Sequence, residues 1–427
     1  MVQIRELSGN TRIHFLPTEK FKTISVIVYL QQQLQEETAT ATALIPPVLE
    51  RGTQKHPHRR DLKRTLDNLF GASLGGDVLK KGERQVLHFS LNMINSKYVK
   101  DGATLFEDGL HLLKEFLAEP VLEGNGFKRD YFNQEKEQLE KEIKSLLNDK
   151  VNYALERCVQ HMCSDEPFSV YKYGRVEDLP GIEPDYLYDY YCQLRQSNPM
   201  DIFIIGEFDV SHVSAQLEHI LEDLRPKGEE KKLKPAAGHH VVVGEVKYVE
   251  EELPVSQGKL TLGFRTHTPF LSEDYFPLLF YNGILGGYPH SKLFQNVREK
   301  ASLAYYAFSR LEKHKGIMLI GSGIEVDNYH KALDIIRLQV EEMKKGNISH
   351  EEMENTRLAL LNQLRMIEDN PFSLANFYHD GAIVEKKLSL SDFKEALKKV
   401  RIKDVVRVAE KIQLDTVYFL RSLRKEA

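Results

Sequence analysis

A chain of 427 residues with 41% hydrophobic and 28% charged residues, 26 Gly and 16 Pro has the balance of a folded protein with a sizeable core, which excludes a disordered chain. At about 100 to 200 residues per domain, the length predicts more than one domain, with two large ones the simplest division. Basic and acidic residues, 58 against 63, are interspersed and leave a net charge of -5, so no electrostatic footprint for nucleic acid is present.

In chain order, KTISVIVYL (Lys22 to Leu30) is rich in β-branched residues and predicts a strand. ATALIPPVLERGT (Ala41 to Thr53) begins as a helix and then meets the adjacent prolines Pro46 and Pro47. Each proline removes a backbone donor and crowds the preceding turn, at about 3 kcal/mol in a helix interior, so the expectation is a disturbed helix. QVLHFSLNMI (Gln85 to Ile94) predicts a second strand. An amphipathic helix follows from Lys97 to its stop at Pro120, then another from Asn133 to Asp149, and ALERCVQHMC (Ala154 to Cys163) also reads as helix.

KGEEKKLKPAAG (Lys227 to Gly238) has little to bury and several turn formers, and predicts a linker. Beyond it, His239 and His240 open a strand, KGIMLIGSGIEV (Lys315 to Val326) predicts another, and a helix runs from Asn328 to Asn347. A second helix follows to Pro371, with Ser349 at the N-cap and Glu352 in the capping-box position. Strand, helix and helix recur on both sides of the linker, with a period near half the chain. This predicts a duplicated α+β domain, residues 1–226 and 239–427, each a mixed, mostly antiparallel sheet with helices packed on one face.

Two segments carry a family resemblance. LGGYPHSKLFQNVREKASLAYYAFS, Leu285 to Ser309, resembles the GG-x-x-S-R-LF-Q-x-x-R-E-x-x-G-L-A-Y-S signature of the pitrilysin/insulinase superfamily of zinc peptidases, with Gly286-Gly287, Leu293-Phe294-Gln295, Val297-Arg298-Glu299 and Leu303-Ala304-Tyr305 in register. In the first half, Gly52-Thr53 aligns with the F-K-G-T that follows the family's metal motif, H-x-x-E-H. That alignment places Ala43, Pro46 and Pro47 at the three functional positions. The motif works because residues one helical turn apart present two histidines to a zinc and a glutamate to its water. Ala43 and the two prolines carry no ligand atom. The family's third ligand is a glutamate with another seven positions earlier, a spacing that Glu142 and Glu135 match, and a lone carboxylate cannot hold zinc.

The resemblance further implies that Arg298 and Tyr305 are the arginine and tyrosine with which superfamily members contact the substrate backbone and stabilise the developing oxyanion. Without the resemblance, Arg298 reads as an ion pair with Glu299 and Tyr305 as half-buried in its strand. Some superfamily members divide these parts between unlike subunits. The expected function is thus the non-catalytic, substrate-binding subunit of a heterodimeric pitrilysin-like zinc metallopeptidase acting on peptides. Two bilobed subunits would face each other as a clam-like chamber, with the zinc carried by a homologous H-x-x-E-H partner, and no cofactor is expected in this chain.

The alternatives are an inert peptide-binding or scaffold protein, and an independent metallopeptidase with an unrecognised site; a homodimer stays open. For such a site, His56 and His58 lie on a turn with Pro57 and following arginines, and His239 and His240 point to opposite faces of a strand. Cys158, His161 and Cys163 read as buried thiols beside a satisfied histidine. No phosphate loop and no nucleophile elbow occurs. Three cysteines without paired spacing and no apolar run of membrane-spanning length predict a cytoplasmic protein with no membrane partner.

Overall fold

The computed structural model describes residues 2–7, 10–100, 102–220, 230–237 and 241–422. Strands β1 (Gln3–Glu6), β2 (Thr11–Pro17) and β3 (Thr23–Gln33) precede helices α1 (Glu36–Leu49) and α2 (Arg59–Asn68), and β4 (Ser73–Lys81) and β5 (Arg84–Ile94) form a hairpin. Next come α3 (Leu105–Ala118), short strands β6 (Leu122–Glu123) and β7 (Gly126–Phe127), α4 (Arg129–Ser145), α5 (Lys150–Met162), α6 (Pro184–Ser197), β8 (Met200–Gly206) and α7 (Val210–Ile220). The remainder runs β9 (Lys247–Glu252), β10 (Gly258–Arg265), α8 (Tyr275–Asn282), β11 (Ala304–Glu312), β12 (Ile317–Ile324), α9 (Tyr329–Lys344), α10 (His350–Glu368), α11 (Pro371–Ile383), α12 (Leu390–Lys399), α13 (Ile402–Ala409) and β13 (Gln413–Arg421).

The two large sheets have the orders β1-β2-β8-β3-β5-β4 and β11-β12-β10-β13-β9. One neighbouring pair in each is parallel, β2 with β8 and β13 with β9, and the others are antiparallel. This is the mixed, mostly antiparallel α+β architecture that the repeat predicts.

The chain forms two compact units that differ from contiguous halves in two segments. One unit holds Met1–Lys144, Val170–Lys234 and Asp369–His379; the other holds Ser145–Ser169, Pro235–Glu368 and Asp380–Ala427. The change at Lys234 falls within the expected linker, of which residues 227–229 and 238 lie outside the described residues. Successive strand residues face opposite ways, and each sheet uses both faces. In the first unit Val28 and Leu30 join the core with Ala43 and Val48 of α1, whereas Tyr29 between them stacks on His379 at 4.1 Å. In the second, Phe419 meets Tyr329 of α9 at 4.6 Å, and Tyr418 packs with the α5 residues Ala154, Leu155 and Cys158. Each exchanged segment therefore covers the sheet face opposite the other helices.

Buried ions pin these segments. Asp201 on β8, 0% exposed, accepts from Arg12 Nε at 2.8 Å, Arg12 Nη2 at 3.0 Å and Gln31 Nε2 at 2.9 Å, with His14 Nε2 at 2.8 Å and His379 Nε2 at 3.8 Å. Burial raises its pKa, but the His14 hydrogen bond and the Arg12 and His379 charges outweigh that and hold the carboxyl far below the usual range. In the second unit, Arg265 joins Glu166 (2.6 Å) and Asp415 (3.0 Å), and Lys315 reaches Glu166 at 2.6 Å.

Two helix boundaries depart from expectation. The helix expected from Lys97 begins at Leu105, because the Asn95 side chain accepts from Lys97 N–H at 3.1 Å and caps a single 3₁₀ turn at Ser96–Tyr98, after which Val99 is extended. The helix expected to reach Asp149 stops at Ser145, and Asp149 instead caps α5, accepting from Asn152 N–H at 3.1 Å. The Ser349/Glu352 capping box is present in both directions, at 3.1 and 2.8 Å. His239 and His240 lie outside the described residues, and among the described residues the first strand after the linker is β9.

Candidate functional site

The expected break at Pro46 and Pro47 does not occur: α1 runs unbroken from Glu36 to Leu49 through both. Both prolines sit in its last turn, and the helix closes with Glu50 N–H donating to Pro46 O at 3.1 Å. Leu44, Ile45, Val48 and Leu49 are buried, worth about 1.5–3 kcal/mol each, which outweighs about 3 kcal/mol per proline. The helix that the resemblance assigns to the metal motif is therefore intact, and Ala43, Pro46 and Pro47 give its motif positions no ligand atom. Ala43 and Pro46 are buried and Pro47 is half-buried.

Around this helix the remaining carboxylates are otherwise engaged. Glu135 on α4 is ion-paired with Arg51, whose guanidinium lies 5.8 Å from the Tyr131 ring centroid, and Glu142 is exposed. Among the described residues no group of three His, Cys, Asp or Glu side chains is arranged to hold a metal ion. This donor set does not fit zinc.

A residue that sequence reasoning passed over stands beside the motif. Glu50, next to Arg51 in the F-K-G-T alignment, turns its carboxylate to the β4 backbone, accepting from Gly76 N–H at 2.8 Å. Burial raises the Glu50 pKa above the ordinary carboxylate value, and Glu135 and Asp77 push the same way; Gly76 N–H and Arg59 oppose them without prevailing. A carboxyl whose pKa rises on folding favours the folded state below its unfolded value of about 4.3 and costs stability as pH rises through its folded value. Glu50→Gln is therefore expected to raise Tm more at pH 7 than at about pH 4. Equal shifts at both pH values in thermal denaturation would contradict this.

Arg298 and Tyr305 fall on a distinctive stretch of the second unit. Two π-helical turns, Gly283–Gly287 and Phe294–Lys300, precede β11. Gly286 of the first has no room for a side chain, since a Cβ would lie 2.5 Å from Ser309 N on β11; the signature glycine permits that approach. In the second, Ala301 N–H donates to Asn296 O, five residues back, at 3.3 Å, and Leu293 and Val297 are fully buried. That fixes the wide turn and turns Arg298 outward, 43% exposed, with Glu299 Oε1 3.6 Å from its Nε and its guanidinium 4.5 Å from the Phe294 ring centroid. Such π turns frequently sit at functional sites.

The chain then reverses through Ser302, whose φ of +51° lies in the left-handed region, and Leu303 N–H closes on Val297 O at 3.1 Å. The signature has glycine at this position, a departure that could have drawn attention to it. A non-glycine residue pays about 1–2 kcal/mol there, partly offset by glycine's greater loss of freedom, so Ser302→Gly is expected to stabilise by roughly 0.5–1 kcal/mol. A chemical-denaturation midpoint unchanged or lowered would contradict it.

Tyr305 follows immediately. β11 is the outermost strand, and its register with β12 shifts between Ala304 and Tyr306, leaving Tyr305 as the extra residue of a β-bulge. It is 59% exposed, not half-buried as a plain strand position predicts, and its hydroxyl donates to Glu325 Oε1 at 3.1 Å. A bulge re-aims a side chain, and here it directs a phenol to the surface.

His56, His58 and His161 have local partners. His56 meets Thr65 Oγ1 at 3.3 Å and Glu115 at 3.6 Å, and His58 meets the Tyr131 hydroxyl at 2.9 Å. Cys158 is fully buried, which pushes its thiol well above the usual value, while His161 lies beside Arg157 (3.1 Å) and Glu251 (3.4 Å). No helix among the described residues is long and apolar enough to cross a membrane.

Known proteins resemble the chain along most of its length, and a known family matches part of it. Residues 181–360 match the family model described as "Peptidase M16 inactive domain". The chain is 38% identical over 98% of its length to "Probable inactive metalloprotease YmfF" of Bacillus subtilis (strain 168), 97% of which is covered. It is 22% identical to "Antilisterial bacteriocin subtilosin biosynthesis protein AlbE" of the same strain, covering 85% of this chain and 88% of that one. The crystal structure of a conserved protein from Enterococcus faecalis V583 superposes with a TM-score of 0.92 at 28% identity, with 100% of both chains covered.

Proposed function

The chain belongs to the M16 peptidase family, the pitrilysin/insulinase family, among its inactive members, and from that premise we propose that it serves as the substrate-orienting subunit of a two-chain zinc peptidase. The observation that carries this reading is Tyr305: a bulge on the outermost strand puts a phenol on the surface, seven residues after an outward-facing arginine, while Ala43, Pro46 and Pro47 leave the motif positions of α1 without a ligand atom. A guanidinium and a phenol gain most where negative charge develops on a carbonyl oxygen. The zinc that activates water would be held by a homologous subunit with an intact H-x-x-E-H. Arg298 and Tyr305 would hold the scissile carbonyl of an unfolded peptide laid along a sheet edge, and donate to its oxygen as the tetrahedral intermediate forms. Three cysteines without paired spacing support a reducing, cytoplasmic setting.

A second reading, an inert peptide-binding scaffold, is favoured by the internal partners of both side chains, Glu299 and Glu325. Reconstitution separates the two. Purified together, this chain and an H-x-x-E-H homologue should hydrolyse an unfolded peptide that neither cleaves alone. Hydrolysis by the homologue alone at the full rate of the pair favours the scaffold.

A further inference from the structure

β4 is the outermost strand of the first sheet and pairs on one side only, with β5. An open edge of this kind recruits any extended chain that can supply matching carbonyls and amides. Gly76 N–H donates to a side chain, Glu50 Oε1 at 2.8 Å, so it points away from β5. Outward-facing groups recur every second residue in an antiparallel pair, which puts Val78 on the same side. Its carbonyl also meets a side chain: Lys172 Nζ donates to Val78 O at 3.4 Å.

Both charged groups are held in place. Gly75 leaves the approach to the edge clear, since a Cβ there would lie 3.0 Å from Glu50 Oε1. Glu50 caps α1, the helix of the degenerate motif. Lys172 also donates to the Tyr173 hydroxyl at 2.9 Å and lies 3.5 Å from Asp77 Oδ2.

The geometry points to Glu50 and Lys172 as an internal substitute for an added strand, one that closes the β4 edge to extended peptides. A carboxylate oxygen stands where a peptide carbonyl would accept, and an ammonium where a peptide N–H would donate. The chain that has lost its metal ligands thereby also withdraws the sheet edge next to them. A pair built with this chain would then engage one peptide, not two. The closure concerns this chain alone and does not depend on the role of Arg298 and Tyr305.

The test uses the isolated chain with Arg298 and Tyr305 intact, so its failure and the failure of the proposed function are separable. Hydrogen exchange should show the wild-type Gly76 amide as protected as the paired amides of β4. In Glu50→Ala/Lys172→Ala it should exchange about tenfold faster or more, the worth of one lost hydrogen bond. A fluorophore-labelled peptide of alternating Thr and Val should bind that variant roughly tenfold tighter than wild type, as judged by anisotropy, and restore Gly76 protection. Glu50→Gln, which keeps an acceptor oxygen, should exchange at Gly76 like the wild type. A wild-type Gly76 amide exchanging like a free one overturns the inference whether or not the variants fold. So does unchanged peptide binding by a folded double variant.

Discussion

Replacing Arg298 by alanine in the reconstituted pair is expected to lower kcat by about 10²–10³-fold, or roughly 2.7–4 kcal/mol, the loss typical of one oxyanion donor in a water-excluded site. KM should change little, because the interaction strengthens only as charge develops. Tyr305→Phe removes a single neutral donor to a charged oxygen, about 1.5–3 kcal/mol, and should cost about ten- to a hundredfold. Neither change should disturb the fold: Arg298 forms an exposed pair with Glu299, worth about 0–1 kcal/mol, and Tyr305 is mostly exposed. A fall in kcat accompanied by an equal loss of Tm would assign Arg298 a structural role instead. Glu325→Gln provides a complementary probe, since it weakens the acceptor that holds the Tyr305 hydroxyl and should leave turnover equal or higher.

The largest stability effect is expected at Asp201. Asp201→Ala strips the carboxylate from between Arg12 and His14 and removes the acceptor of Gln31 Nε2, in a place fully closed to water. Breaking a buried ion pair from one side costs about 3–5 kcal/mol, because the remaining charge stays desolvated. For a unit of this size that is a fall in Tm on the order of 10 °C. Because the folded-state pKa of Asp201 is depressed, its contribution is fully present above the unfolded value of about 3.9 and is lost as pH falls below it. The wild type and variant should therefore differ most near neutral pH and converge in acid. Calorimetry at both pH values checks this, and a pH-independent difference would contradict the ionic account. His379 from the exchanged segment also faces this carboxylate, so the variant should raise hydrogen exchange across Asp369–His379.

The sequence made the sheets and the duplication legible because strand and helix periodicities survive in both halves. It left the exchange of segments hidden: nothing local in Ala154 to Cys163 says which sheet its apolar face will cover, and the answer lies in long-range partners such as Tyr418. The prolines misled for a related reason. Propensity assigns Pro46 and Pro47 a cost, and only the burial of Leu44, Ile45, Val48 and Leu49 shows what outweighs it. At the candidate site, motif register located Arg298 and Tyr305, while the bulge that exposes Tyr305 depends on a pairing offset with β12. Ser302 was visible as a departure from a glycine, but its meaning required a dihedral angle. Glu50 and Lys172 carried no signal, since each looks like any charged residue until its backbone partner is known.

The most direct test is metal content and turnover measured together on the reconstituted pair. The account predicts one zinc per two chains, retained in full when Arg298→Ala and Tyr305→Phe are combined in this chain, while peptide turnover falls by about 10² or more. Stoichiometric zinc and hydrolysis by this chain alone, or unchanged turnover by the doubly substituted pair, would contradict it.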